Sequence, residues 1–134
     1  MAREPSELTV ITKTKDLLKY ILVVSENSPK KYRFTLTSRL INCVSDALSF
    51  LILANESSLV AESGDYCERK SLQHKALASF KLTDAFAMTA RECGCITAKQ
   101  HEHISKMLFD CIRMTGAWMK SDKKRLNNRE KLLQ

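Results

Sequence analysis

Apolar positions along this chain recur in steps of four and three. From Ile96 to Lys120, the residues Ile104, Leu108, Cys111, Thr115 and Trp118 fall on one stripe of a helix, and Met107, Ile112, Met114 and Met119 widen it. Thr97 followed three residues later by Gln100 forms a capping box at its start. The same stepping runs through Leu40, Val44, Ala47, Leu51 and Ala54, thickened by Ile41, Leu48 and Ile52. It predicts a second helix from about Thr35, a candidate cap, to Ala54 or Asn55. A first helix is predicted over 12–26, with Leu17, Ile21 and Val24 inside and Leu18 and Leu22 beside them. The third is predicted over 65–93, its inner face formed by Leu72, Ala76, Phe80, Thr83, Phe86, Ala87 and Ala90. Between helices 2 and 3 the pattern is weakest, with at most a helical turn around Leu59 and Val60.

Pro29 separates the first two helices. Gly94 stands where a left-handed residue closes helix 3, and only Cys95 and Ile96 lie between it and the Thr97 cap. So short a connection makes helices 3 and 4 antiparallel neighbours. The expected fold is all-α, an up-down-up-down four-helix bundle. Residues 1–11 are read as a lead-in, 12–120 as the bundle, and 121–134 as a basic, flexible tail, because the apolar stripe stops near Lys120. In this topology the turn between helices 1 and 2 and the turn between helices 3 and 4 share one end.

Composition fits long helices with short connections. The chain has 134 residues, enough for one domain, with only three Gly and two Pro. No run of 18 or more apolar residues occurs, which argues against a transmembrane helix. The first ten residues lack a signal-peptide core, and the cytoplasm is the expected compartment. Five scattered cysteines, an odd number, suit reduced thiols packed as small apolar groups, with Cys93 read as a core residue.

Charge changes the picture more. The formal net charge is +7 and it is segregated. Ser28–Arg39 holds Lys30, Lys31, Arg33 and Arg39 and no acid. Leu40–Glu68 holds Asp46, Glu56, Glu62, Asp65 and Glu68 and no Lys or Arg. Lys120–Gln134 holds six bases against two acids. Blocks of this kind suit an acidic partner such as nucleic acid, while a solvated face serving solubility is the plainer alternative. Within KKYRF, Tyr32 and Phe34 alternate with the bases. Aromatics there can stack on unpaired nucleobases, but Phe34 is read as a core anchor where helix 2 begins, and the lysines as phosphate ligands.

Catalytic chemistry finds no support. Cys93, Cys95, His101 and His103 suggest a metal cluster, but His101 and His103 lie on opposite flanks of a helix and Cys-x-Cys lacks the usual zinc spacing. No phosphate loop, HExxH or G-x-S-x-G is present. No enzyme, cofactor, metal, membrane association or small-molecule substrate is expected. Asp110 is expected to face water and Trp118 to be core. Gly116 either admits a closely approaching helix, of this chain or of a neighbouring subunit, or is a tolerated imperfection.

Thr97, Lys99, Gln100, Glu102, His103, Leu108, Met114, Gly116, Trp118, Lys120 and Ser121 resemble the last-helix signature of the accessory variability determinant proteins of bacterial and phage diversity-generating retroelements. The lysine-rich Ser-Pro turn, the long apolar helix 2, the Arg91-Glu92 and Gly94 ending of helix 3 and the basic tail fit the same pattern, over about Lys15 to Lys124. The resemblance implies a bundle that assembles into a pentameric ring. It also implies binding to the element's reverse transcriptase and to template RNA or cDNA, without chemistry of its own. Asp84 and Met88 stand where the family tends to place arginines, with Lys75 and Lys81 as the nearest bases. The expected nucleic-acid or polymerase contacts are therefore Lys30, Lys31, Arg33 and Arg39 at one end, Arg91 and Lys99 beside them, Lys75 and Lys81 on helix 3, and Lys123, Lys124 and Arg125 in the tail. Related four-helix proteins of ribosomal RNA intervening sequences offer the alternative: a structural or protein-interaction bundle with no polymerase partner.

Overall fold

The computed structural model describes residues 5–59 and 65–133. Among these the chain is all-helical, with four long α-helices: α1 (Pro5–Val24), α2 (Ser38–Glu56), α3 (Asp65–Glu92) and α4 (Ala98–Leu133). Their apolar stripes merge into one core, and α1–α2, α2–α3, α3–α4 and α1–α4 all pack together. Cross-helix contacts give the directions. Thr14 meets Cys111 while Tyr20 meets His103, so α1 and α4 run antiparallel. Arg69 meets Asp122 while Arg91 meets His101, so α3 and α4 do too.

The first helix begins earlier than expected. Residues 5–11 belong to α1, and only 1–4 of the expected lead-in lie outside the described residues. Proline is tolerated in a first turn, where its missing N–H has no helical partner in any case. Val10 and Thr14, both fully buried, carry the stripe of Leu17, Ile21 and Val24 back by two further steps. Thr14 is admitted because its hydroxyl donates to the Val10 carbonyl at 2.7 Å.

The basic segment after Pro29 is helical rather than a loop. A 3-10 turn over Lys30–Tyr32 passes into a π-helical turn over Arg33–Thr37 and then into α2. Thr35 therefore caps nothing. The wider turn is braced by Ser38, whose hydroxyl donates to the Arg33 carbonyl at 2.7 Å. Leu36 and Thr37 take the inward positions and Tyr32 packs on the core edge. Phe34 is left outside, 83% exposed, which corrects its reading as a core anchor.

The whole stretch Lys30–Glu56 reaches a mean hydropathy of 1.4 over 18 residues, so by length and composition alone it is apolar enough to cross a membrane. Here Leu40, Val44, Ala47, Leu51 and Ala54 lie buried in the core, and Asn42, Asp46 and Ser49 are exposed. That division is the one an amphipathic core helix makes. Of the turn expected around Leu59 and Val60, residue 60 lies outside the described residues.

The α3–α4 connection matches its sequence closely. Gly94 has φ +78°, the Cys95 N–H donates to the Ala90 carbonyl at 2.8 Å, and the Gly94 N–H donates to Arg91 at 3.1 Å. That pair of bonds is a Schellman motif, and it satisfies two carbonyls that the helix end leaves open. Across the turn, the Thr97 N–H donates to Gln100 Oε1 at 2.9 Å and the Gln100 N–H to Thr97 Oγ1 at 3.1 Å, closing the capping box.

The far end holds what the hydrophobic pattern conceals. The helix does not stop near Lys120; α4 continues to Leu133, through the stretch read as a tail, and residue 134 lies outside the described residues. Asp122 occupies the next inward position after Trp118, with 1% of its side chain exposed. Arg69 reaches it from α3 with two parallel bonds, Nε to Oδ2 at 2.7 Å and Nη2 to Oδ1 at 2.9 Å. Gln73 Nε2 donates to Oδ2 at 2.9 Å and Arg125 Nη2 to Oδ1 at 2.7 Å. The Arg69 guanidinium also lies 5.0 Å from the centre of the fully buried Trp118 ring and donates to the Ser57 carbonyl at 3.0 Å. Burial by itself would raise the Asp122 pKa. The bonds from Arg69, Gln73 and Arg125, with the charge of Arg69, outweigh it and hold the carboxyl below its ordinary value.

Asp122→Ala strands the Arg69 charge in the interior and is expected to cost about 3–5 kcal/mol in urea unfolding. A chain cut after Lys120 loses the same carboxylate and is expected to be destabilised at least as much. Because the folded-state pKa is lowered, the carboxylate's contribution is complete above the ordinary value of about 4 and is lost as pH falls through the folded value. Unfolding titrations from pH 6 to 2 should therefore show a fall below about pH 4 that is shallower in Asp122→Ala. Gly94→Ala places a Cβ at positive φ, and a loss of about 1 kcal/mol is expected in the same assay.

Candidate nucleic-acid interface

The turn after α1 and the α3–α4 turn meet. Ser28 Oγ donates to the Cys95 carbonyl at 3.4 Å. Burial raises the Cys95 thiol pKa and the neighbouring Cys93 adds to it, while the charge of Lys31 pulls the other way. Lys30 and Lys31 sit in the 3-10 turn, Arg33 in the π turn and Arg39 at the start of α2. Arg91 ends α3, Lys99 begins α4, and all six are exposed. Among the described residues, Lys30, Lys31, Arg33, Arg39 and Lys99 have no carboxylate partner in an ion pair. Lys31 has its ammonium 5.1 Å from the centre of the Tyr32 ring, and Arg91 Nη1 is 3.4 Å from His101 Nδ1.

The other expected contacts separate from this group. Lys75 and Lys81 are exposed on α3, and Lys81 lines a cleft with Asp84, Met88, His101 and Phe109. Lys123 and Lys124 stand at the far end of the molecule, beyond Trp118. Arg125 is held by Asp122 and is an internal brace before it is a surface ligand. Sequence reading missed a basic cleft of about 400 Å³ at this end, where Lys70 and His74 of α3 face Lys120 and Lys123 of α4. Their spacings of four and three were visible, but the register that opposes them depends on the Arg69–Asp122 pair. Gly116 lines the same cleft, and a Cβ built there meets nothing within 4 Å. Among the described residues, no other helix approaches Gly116 closely.

No family model matches the chain, and no curated protein matches its sequence.

The Cys/His residues do not assemble. Among the described residues, no group of three or more His, Cys, Asp or Glu side chains is placed to hold a metal ion. His101 is buried against Arg91 of α3, whereas the exposed His103 packs edge-on against Tyr20 of α1, ring centres 4.4 Å apart. Cys95, not Cys93, is the buried member of its pair. Burial lifts the Cys111 pKa to about 11, against the opposing Thr14 hydrogen bond, and burial followed by the charge of Asp46 raises that of Cys43. Raised pKa values disfavour the thiolate that nucleophilic catalysis needs. Asp110 is partly exposed and lies 3.9 Å from Lys13 and 3.7 Å from Arg113.

Maleimide labelling of the native protein at pH 7.5 is expected to modify the exposed Cys67 first. Cys111 should label only in denaturant, as peptide mapping by mass spectrometry would report.

Proposed function

We propose that the chain is a non-enzymatic accessory subunit of a diversity-generating retroelement. In this reading it acts in the cytoplasm and binds the element's reverse transcriptase together with template RNA or cDNA. The observation that carries this is the end of the molecule where Lys30, Lys31, Arg33, Arg39 and Lys99 stand exposed without carboxylate partners among the described residues. Uncompensated charge on a rigid helical end suits phosphate, because each contact releases counterions without first breaking an internal ion pair. The pairwise helix packing supports an up-down-up-down bundle. Assembly into a pentameric ring follows from the family resemblance, and it would repeat the basic end around an axis so that weak phosphate contacts add through avidity.

One observation favours the second reading, a protein-interaction bundle of the ribosomal RNA intervening-sequence type with no polymerase partner. Phe109 and Met88 stand 66% and 49% exposed on the α3–α4 cleft, an apolar surface better suited to protein than to phosphate.

Light scattering with fluorescent RNA titrated at two salt concentrations separates the two. The first reading expects a mass near five times the 15.3 kDa protomer and an affinity that falls steeply with salt. Double substitution Lys30→Glu with Lys31→Glu should weaken RNA binding at least tenfold at low salt and flatten the salt dependence. A species that ignores RNA would leave the second reading standing.

A further inference from the structure

We infer that the cleft between α2 and α3 beside the basic end receives an unstacked base, which makes the ligand of this surface single-stranded nucleic acid rather than a duplex. The inference rests on the phosphate-binding reading above and adds what the bases do. Phe34 is 83% exposed, the most exposed Phe, Tyr or Trp ring among the described residues, and it directly follows the run of Lys30, Lys31 and Arg33. An aromatic side chain left in water at the surface of a protein with a well-filled core gains nothing for the fold. The same ring is a sequence-tolerant platform for a nucleobase, since every base has a π face.

The ring does not stand alone. It forms one wall of a cleft of about 520 Å³ with Leu82 and Phe86 of α3 and Arg39, Asn42 and Asp46 of α2. Leu82 is half exposed and Phe86 partly buried, so the apolar wall continues from Phe34 onto α3. The polar wall offers the Asn42 amide and the Asp46 carboxylate to a base edge. Arg39 and Asp46 are seven residues apart on one helix, about 10 Å along its axis, so the carboxylate is kept away from the phosphates that Arg39 would hold. A ring to stack on, hydrogen-bonding groups and a cation, Arg39, in one cleft are the parts that single-strand binding combines. A base paired within an A-form duplex cannot enter such a cleft without being extruded.

The test uses the full chain and three labelled probes of equal length: single-stranded RNA, single-stranded DNA and duplex RNA. Phe34→Leu keeps an apolar side chain and removes the π face; Phe34→Trp keeps the face. Phe34→Leu is expected to weaken both single strands at least about fivefold, with duplex binding unchanged, and Phe34→Trp to restore the affinity. A 2-aminopurine in the single strand should be quenched on binding the native chain and much less on binding Phe34→Leu. Unchanged single-strand affinity and quenching in Phe34→Leu would overturn the inference while leaving the basic end as a phosphate site. A changed light-scattering mass in Phe34→Leu would overturn it too, by making the ring a subunit contact. Failure of the native chain to bind any of the probes would instead remove the functional reading beneath it.

Discussion

The salt bridge between Arg69 and Asp122 sets the register of this molecule. Two opposite charges are withdrawn from water, which is favourable only if their geometry is good and their remaining hydrogen-bonding capacity is filled. Both conditions are met: the guanidinium and the carboxylate pair through two bonds, and Gln73, Arg125 and the Ser57 carbonyl take up other positions. Sliding α3 along α4 by one turn would strand both charges among apolar side chains, whereas a purely apolar seam would tolerate the slip at lower cost. The guanidinium also covers the Trp118 ring, so the largest core side chain depends on the same contact. Through Ser57 the arrangement reaches the end of α2, and one ion pair thereby ties three helices.

With that end pinned, the other is free to carry charge. The Schellman turn and the capping box close the α3–α4 connection using backbone groups, Thr97 and Gln100. None of the nearby cations is spent on the helix ends. The π turn at Arg33–Thr37 serves the same division: Leu36 and Thr37 face inward while Phe34 and the bases before it face out.

Four helices, their stripes and the α3–α4 turn were legible in the sequence because each rests on local rules. The stepping of Ile104, Leu108, Cys111, Thr115 and Trp118 is a property of one helix, and the Thr97–Gln100 box spans four residues. Three features escaped, two of them because they depend on residues far apart in the chain. Asp122 looks like the start of a charged tail until Arg69, far away in the chain, is seen to meet it. Phe34 reads as a core anchor until the turn around it proves to have helical phase. The Lys70–Lys123 cleft needs the register of two helices. Polar residues at inward positions are invisible to a hydrophobicity count, although Asp122 does continue the four-three stepping. Among the candidate contacts, the two terminal groups were legible as charge blocks, while Arg125 was not separable from its neighbours by charge alone.

Past Asp122 the last helix keeps going without company. From Asn127 to Leu133 every residue is exposed, and α4 remains helical throughout. Eleven residues at 1.5 Å each carry Leu133 about 16 Å beyond the anchored carboxylate. A floppy segment of that length would raise the local concentration of its charges around the body without choosing where they stand. A rod bolted at Asp122 works instead as a spacer, holding Arg129 and Lys131 at a set stand-off and bearing, so that whatever they touch is measured from the body rather than merely kept nearby.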